Sequence, residues 1–524
     1  MHIPKRIALL FLPTLIFAGC EAGLDGTPKE NQPPSTSFTV NSINLPEGER
    51  LTSQISISWW GDDADGFVEG YEFYIGENPD QQQDGWVFTT STDSTFILPI
   101  EEGELDADVR FTVRAVDNEG LRDPQPPSLV FPIRNSAPTA EFVANEIPPD
   151  TTYRVFSFGF RVNDPDGAAN LNRIEFAIND TSEAASWIAL DPAIQLLTFR
   201  IDDTQPGNPT QVFTGRNAIS TEFQINTIET DAENTFYLRS IDNAGSVSAV
   251  RDYTWYVKRQ QSNILFLNDF SGPDSQARAN LHIGLLASVG ITNFDYIDIT
   301  DGLATGGRRV VLSQAFPNRA LVVPTTNMML AEWDHIYWIS QDLDRNIGYA
   351  LEMTLDFFTG GGTMFVNIPT KTVPDDNPAL EFLPFERIQA SPPGAPFFIA
   401  ANTTMNPTAA MQNLVNSPET STTEIPYLRF VRNQAGNLFP VVPFGQTVEL
   451  YEAEFQTRRL FPPSTTPYDG PLGVTASSPE NNLLYFGVDY HQFVDPDPDS
   501  ELPQSDLTGL TRLLIIDILN FEQR

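Results

Sequence analysis

The chain has 524 residues, 40% of them apolar, with 42 prolines, 33 glycines and no Gly-X-Y period; it has enough apolar surface for packed cores and is neither collagen-like nor wholly disordered. Its 30 basic and 69 acidic residues leave a net charge of −39, which repels nucleic acid and anionic membrane surfaces over most of its area and argues against a nucleic-acid partner. Length alone suggests about three or four domains. The only lysines are Lys5, Lys29, Lys258 and Lys371. An acid-rich, lysine-poor surface stays hydrated in salt, so a marine or halophilic habitat is expected.

The first element in chain order is an address. Lys5 and Arg6 precede the apolar run Ile7–Gly19, which is too short to span a bilayer needing about 20 residues and reads as a signal peptide over residues 1–19. Cys20 is the only cysteine, so no intramolecular disulfide can form. Residues 20–37, with Pro28, Pro33 and Pro34, read as a flexible tether. The stretch Leu15-Ile-Phe-Ala-Gly-Cys20 resembles the lipobox of bacterial lipoproteins, with Phe17 where that family has Leu or Val. The resemblance implies cleavage before Cys20, a diacylglycerol thioether on its sulfur and acylation (palmitate) of its new amino group. It also implies a cell-envelope location, with the membrane, expected to be the outer one, as a partner through that anchor. The face of the membrane is left open.

Residues 38–135 and 136–258 each show short alternating strands between turns, the pattern of a β-sandwich. Asp63-Ala-Asp-Gly66 before Tyr71-Glu-Phe-Tyr-Ile75 recurs as Asp164-Pro-Asp-Gly167 before Ile174-Glu-Phe-Ala-Ile178. Arg114-Ala-Val-Asp-Asn-Glu-Gly120 recurs as Arg239-Ser-Ile-Asp-Asn-Ala-Gly245. The second copy is about 24 residues longer between these marks, an excess assigned to Gln195–Gly215. Both copies resemble fibronectin type III (immunoglobulin-like) domains, through the Trp-bearing early strand, the aromatic third strand and the Val-x-Ala-x-Asp-type ending. The tyrosine-corner position falls on Val109 and Asn234, so the corner hydrogen bond is expected to be missing.

After Lys258 the pattern changes to strands alternating with helices, which predicts an α/β domain over 259–524 with a parallel sheet covered on both faces. Strands are predicted at Asn263–Leu267, Phe294–Ile299, His335–Ile339, Thr363–Ile368 and Leu483–Val488, and helices at Pro273–Val289, Met328–Trp333, Ile347–Phe358 and Leu507–Phe521. About 391–471 reads as an irregular or β-rich insertion. His335-Ile-Tyr-Trp-Ile-Ser340, Phe357-Phe-Thr-Gly-Gly-Gly362, Thr363-Met-Phe-Val-Asn-Ile368 and Leu484-Tyr-Phe-Gly-Val488 resemble the class I glutamine-amidotransferase-like fold, which implies a flavodoxin-like three-layer domain. In active members a nucleophile follows the strand on a tight elbow. Here that place reads Asn367-Ile-Pro-Thr-Lys371, which argues against amidase chemistry.

Ligands of open α/β sheets bind beyond the carboxyl ends of the strands. That rule nominates Asn268, Asp269, Ser340, Gln341, Asp342, Asp489 and His491 as a ligand site. Asp65, Asp117, Asp166 and Asp242 carry oxygen ligands suited to calcium, but Asp, Asn and Gly at such places also make turns, the better reading. Asp495, Asp497 and Asp499 follow the first spacings of a calcium loop, with Ser500 in place of its glycine; a solvated acidic loop is the better reading there, and no cofactor is expected. The whole reads as a non-catalytic, lipid-anchored binding, adhesion or scaffold protein, in which two sandwiches present an α/β domain to a glycan or a surface protein. The alternative is a carbohydrate-active hydrolase using Asp and His at the strand ends, since two carboxylates suffice for glycoside cleavage.

Overall fold

The computed structural model describes residues 29–40, 49–77, 85–270, 274–299, 316–415, 424–497 and 499–523; the expected signal segment and the lipidation site Cys20 lie outside the described residues. Two compact units divide the chain, residues 1–135 and 136–524. No helix among the described residues is long and apolar enough to cross a membrane.

The first unit holds one β-sandwich. Its strands are β1 (Ser35–Val40), β2 (Leu51–Thr52), β3 (Gln54–Asp62), β4 (Val68–Ile75), β5 (Val87–Thr89), β6 (Asp93–Ile97), β7 (Asp106–Asp117) and β8 (Ser128–Arg134). They form the sheets β1-β3-β6 and β2-β8-β7-β4-β5. The period of two in β3 buries Ile55, Ile57 and Trp59 and turns Ser56, Ser58 and Trp60 outward. Trp59 is the centre of the core, with the rings of Phe73, Phe96 and Phe111 at 6.4, 6.1 and 6.2 Å.

The second unit begins with the second sandwich. Its strands are β9 (Thr139–Phe142), β10 (Thr151–Thr152), β11 (Val155–Asn163), β12 (Leu171–Ile178), β13 (Ile188–Leu190), β14 (Leu196–Ile201), β15 (Thr210–Thr214), β16 (Ile219–Ile225), β17 (Ala232–Asp242) and β18 (Arg251–Val257). The sheets are β16-β15-β14-β11-β9 and β10-β18-β17-β12-β13. The extra residues of this copy differ in place from the expectation. Leu196–Ile201 pairs with β11 as β6 pairs with β3, and buries Leu196, Leu197, Phe199 and Ile201. The excess follows it, as the added hairpin β15–β16. The core tryptophan also moves, to Trp255 on the last strand, 5.0 Å from Phe158.

Two further features of the copies were not read from the pattern. Asn234 does the work of the corner tyrosine: its Nδ2 donates to the Glu229 carbonyl at 2.9 Å and its Oδ1 accepts from Glu229 N at 2.9 Å and Asn179 Nδ2 at 2.8 Å. The corner bond to upstream backbone is therefore present in the second copy, carried by an amide. Each copy also carries an outward stack of Trp, Arg and Glu. Arg114 lies 3.9 Å over Trp86 and shares Glu72 with Arg122; Arg239 lies 3.9 Å over Trp187 and shares Glu175 with Arg173. Burial alone would raise the Glu72 and Glu175 carboxyls, but their paired arginines outweigh it and hold both below the ordinary range.

The remainder of the second unit is built on a seven-stranded sheet. Its strands are β19 (Ile264–Asp269), β20 (Asp295–Asp298), β21 (His335–Ser340), β22 (Thr363–Asn367), β23 (Val448–Glu449), β24 (Thr475–Ser477) and β25 (Leu483–Phe486), in the order β20-β19-β21-β22-β25-β24-β23. The first five pair in parallel, and β24 joins both β25 and β23 by antiparallel pairings. β19, β21 and β25 are buried along their whole length, which is why they read as continuous apolar runs rather than alternations. Helix α1 (Ser275–Ser288) follows β19, and the C-terminal helix Leu507–Thr511, continued as a π-helical turn to Ile518, touches it through Ser288 and Thr508. The expected helix Ile347–Phe358 is broken at Thr354, whose Oγ1 bonds the Ala350 carbonyl at 2.7 Å; such back-bonding bends a helix.

The second sandwich shares its interior with the part built on this sheet. Tyr153 and Val155 belong to the core around the seven-stranded sheet, where Tyr153 meets Trp333 edge to face at 5.2 Å. Glu332 accepts from Arg154 Nη1 at 2.9 Å and Arg200 Nε at 2.6 Å, and its side chain is only 5% exposed.

Candidate functional site

The chain runs from β19 outward to β20 and then returns to β21 on the other side, so a crevice opens between the carboxyl ends of β19 and β21. A cleft of about 260 Å³ lies there. Four of the five parallel strands deliver its lining by their ends: Phe270 after β19, Gln341 after β21, Pro369 and Lys371 after β22, Val488 and Asp489 after β25. Asp274, Ser275 and Arg278 come from the start of α1, Gln492 from the turn after Asp489, and Gln434, Asn437 and Leu438 from the segment between β22 and β25.

Of the residues nominated from sequence, Gln341 and Asp489 line this cleft. Asp342 reaches it through Lys371, whose Nζ lies 3.5 Å from Asp342 Oδ2. His491 stands beside Asp489, its Nδ1 at 3.4 Å from Oδ1, and Asp489 Oδ1 accepts from His491 N at 3.0 Å. Burial lowers the His491 imidazole, Arg278 adds to this and Asp274 opposes it, so the ring is neutral at pH 7.

Asn268, Asp269 and Ser340 lie beneath the cleft, buried and engaged. Asn268 Nδ2 donates to Tyr296 OH at 2.9 Å, Ser275 Oγ at 3.2 Å and Asp298 Oδ2 at 3.3 Å. Ser340 Oγ donates to the carbonyls of Asp269 and Asp342, both at 3.3 Å. Asp269 accepts from Asn346 Nδ2 at 2.9 Å, and full burial pushes its carboxyl up to about 7 against the pull of Arg345. These three hold strand ends in place and do not line the opening. At the elbow position, Asn367 Nδ2 staples β22 to the carbonyls of Phe486 and Val488, at 2.9 and 2.8 Å.

Sequence reasoning missed Arg278, Lys371, Gln434, Asn437 and Gln492. Arg278 pairs with Asp489 and lies over the Phe270 ring at 5.3 Å; burial lowers its guanidinium while Asp274 opposes. Gln434 Nε2 donates to Gln492 Oε1 at 2.7 Å. Lys371, as one of four lysines in so acidic a chain, was the available signal. The cleft thus joins two ion pairs, Arg278–Asp489 and Lys371–Asp342, with the amides of Gln341, Gln434, Asn437 and Gln492.

The calcium candidates are turned to other partners. Asp117 Oδ1 accepts from Leu121 N at 2.8 Å and Glu119 N at 2.9 Å, and Asp242 Oδ1 from Ser246 N at 2.7 Å. Asp166 accepts from Ser136 N, and Asp65 from Gln32 N at 3.3 Å. Asp495 is bound by Arg429 Nη2 at 2.7 Å, which holds its carboxyl below the ordinary range, and Asp497 and Asp499 continue as a ladder of side-chain turns. Among the described residues no group of three or more His, Cys, Asp or Glu is placed to hold a metal ion.

No protein-family model matches the sequence, and no curated protein matches it. Solved structures similar to part of the chain include the fibronectin(III)-like modules of Clostridium thermocellum CbhA, at 16% identity over 43% of this chain and 95% of that one, with a TM-score of 0.16. A two-domain fibronectin type III segment of chicken tenascin shows 8% identity over 43% of this chain and 99% of that one, with a TM-score of 0.18. Carbohydrate-binding modules of the β-sandwich superfamily show 11% identity over 40% and 60%, with a TM-score of 0.15. At such TM-scores the likenesses carry no weight, and the sandwich architecture stands on the strand pairings.

Proposed function

We propose that this chain is a non-catalytic envelope lipoprotein, anchored through Cys20 to the outer membrane, whose flavodoxin-like C-terminal domain binds a neutral sugar at its strand ends. The parallel strand order, with β20 and β19 on one side of the reversal and β21, β22 and β25 on the other, supports the flavodoxin-like, amidotransferase-like reading of that domain. The lipobox-like run before Cys20 supports the anchor.

The observation that carries the ligand is the cleft's mixed set of donors and acceptors. A sugar hydroxyl both donates and accepts, so it is served by primary amides and by ion pairs whose geometry is already set. An anionic ligand would meet Asp274, Asp489 and Asp342, and a cationic one Arg278 and Lys371. The hydrolase reading is the poorer one: Asp489 and Asp342 are each bound by a cation, and Asp269, whose carboxyl is raised to about 7, lies fully buried below the opening.

Thermal unfolding of the full chain against a panel of neutral mono- and oligosaccharides tests this. A sugar at 1,000 times its dissociation constant stabilises by about 4 kcal/mol, and Gln341→Ala or Gln492→Ala is expected to weaken binding at least tenfold. Absence of any sugar-dependent shift, or a shift indifferent to both substitutions, removes the reading; release of a cleaved product replaces it with the hydrolase.

A further inference from the structure

The segment between β22 and β25 carries a four-stranded sheet whose spatial order is Gln434–Ala435, Phe397–Ile399, Gln456–Leu460 and Pro463–Pro467. One edge supplies Gln434 to the cleft. The other edge is a ribbon, Gln456–Leu460 paired with Pro463–Pro467. Its second strand is exposed throughout, and Arg458, Arg459 and Leu460 on its first strand are exposed as well. At the tip, Leu460 is 63% exposed and Phe461 is 91% exposed, the highest value among the large apolar side chains of the described residues.

The edge itself is closed to a further strand. Pro462, Pro463 and Pro467 have no N–H to offer, and prolines and charges at an edge are devices against strand addition. What the ribbon leaves on offer is the convex apolar tip. Behind it stand Arg458 and Arg459, and residues 456–467 contain no Asp or Glu, although the chain has 69. The nearest acidic residues in sequence, Glu454 and Asp469, lie beyond the ribbon's ends.

We infer that the Gln456–Pro467 ribbon docks on an anionic lipid surface, with Leu460 and Phe461 entering the headgroup–acyl boundary and Arg458 and Arg459 meeting the headgroup charges. A fluid interface suits the tip better than a protein groove, because a convex apolar point needs no matching concavity to bury itself there. The two arginines complement anionic headgroups over the short range that salt leaves unscreened. The acidic remainder of the chain is repelled by the same surface, so the ribbon fixes which end approaches.

The single cysteine makes the test direct. In the full chain with Cys20→Ser, Ser464→Cys is labelled with an environment-sensitive dye, and vesicles of phosphatidylethanolamine and phosphatidylglycerol (3:1) are added. The reporter reads the ribbon and not the N-terminal apolar run. The expected result is a blue shift with at least a twofold rise in emission, reduced in 1 M salt and abolished by Phe461→Asp but retained by Phe461→Leu. No change on adding vesicles, or a change that survives Phe461→Asp, overturns the inference. A change produced by unlabelled chain and not by vesicles overturns it in favour of docking between copies.

Discussion

Replacing Glu332 by alanine should loosen the second sandwich from the part built on the seven-stranded sheet, and the cost follows from the geometry of the pair of arginines. The carboxylate is 5% exposed, Arg154 is 19% exposed at 2.9 Å, and Arg200 is 48% exposed at 2.6 Å. A dry charged hydrogen bond contributes about 1.5–3 kcal/mol and a wet one about 0–1 kcal/mol. Assigning the upper range to Arg154 and the lower to Arg200 gives about 3 kcal/mol; Arg154 keeps a weaker partner in Asp203 at 3.5 Å, which argues against a larger figure. Residues 136–524 form a unit of about 390 residues, so at about 2.1 cal/mol/K per residue its unfolding entropy is roughly 0.8 kcal/mol/K. Scanning calorimetry of Glu332→Ala should therefore show the main transition lowered by about 4 °C, or split in two as coupling across the joint is lost. Arg154→Ala combined with it should add much less than its own effect. A transition unchanged in shape and moved by less than 1 °C would refute the claim that this carboxylate holds the two parts together.

Burial of Asp269 sets a pH dependence whose sign can be stated. Its carboxyl titrates at about 7 in the folded state against about 3.9 unfolded. Between those values the folded state binds the extra proton, so stability declines as pH rises from about 4 to 7 and is flat above; in Asp269→Asn that decline should vanish, as read from urea midpoints across pH. Asp164, raised to about 6 chiefly by burial, should add a smaller slope of the same sign over about pH 4 to 6, removed by Asp164→Asn. Asn234→Ala leaves the Glu229 N–H and carbonyl and the Asn179 amide without that partner, and should cost about 2–4 kcal/mol by chemical unfolding; an effect below 0.5 kcal/mol would mean solvent replaces those bonds. Arg278→Ala should abolish sugar binding in calorimetric titration while leaving the melting temperature of residues 1–135 unchanged.

The parallel sheet was legible because strands buried on both faces read as unbroken apolar runs, as in Ile264–Leu267 and His335–Ile339. Gln341 and Asp489 were legible by the same token, once strand ends were known to face a crevice. Asn268, Asp269 and Ser340 obey the same rule in sequence, yet their side chains turn inward, and one residue of phase decides between lining and floor. Gln434 comes from a strand two residues long and Asn437 from the bend that follows it, too short a stretch for any period to show. Arg278 required knowing how α1 is rotated, which depends on packing beneath it. The Trp86–Arg114–Glu72 stack and its counterpart were half visible, since Glu72 and Glu175, and Arg114 and Arg239, occupy matching places in the repeat. Their tryptophans sit outside the matching blocks and gave no hint. Asn234 was misjudged because the corner was defined by a residue type rather than by the bond it makes.

The two copies of the repeat do not have the same standing. The first makes up a compact unit of its own. The second has given Tyr153 and Val155 to a core that is not its own and, through Arg154 and Arg200, supplies the counter-charge for Glu332. An excision at residue 259, where the pattern of the chain changes, would cut through a shared interior and leave Trp333 bare. Ser136 begins both the second copy and the larger compact unit, whereas the copy's other end at Lys258 lies inside that unit, so only one end of this repeat coincides with a boundary of compactness.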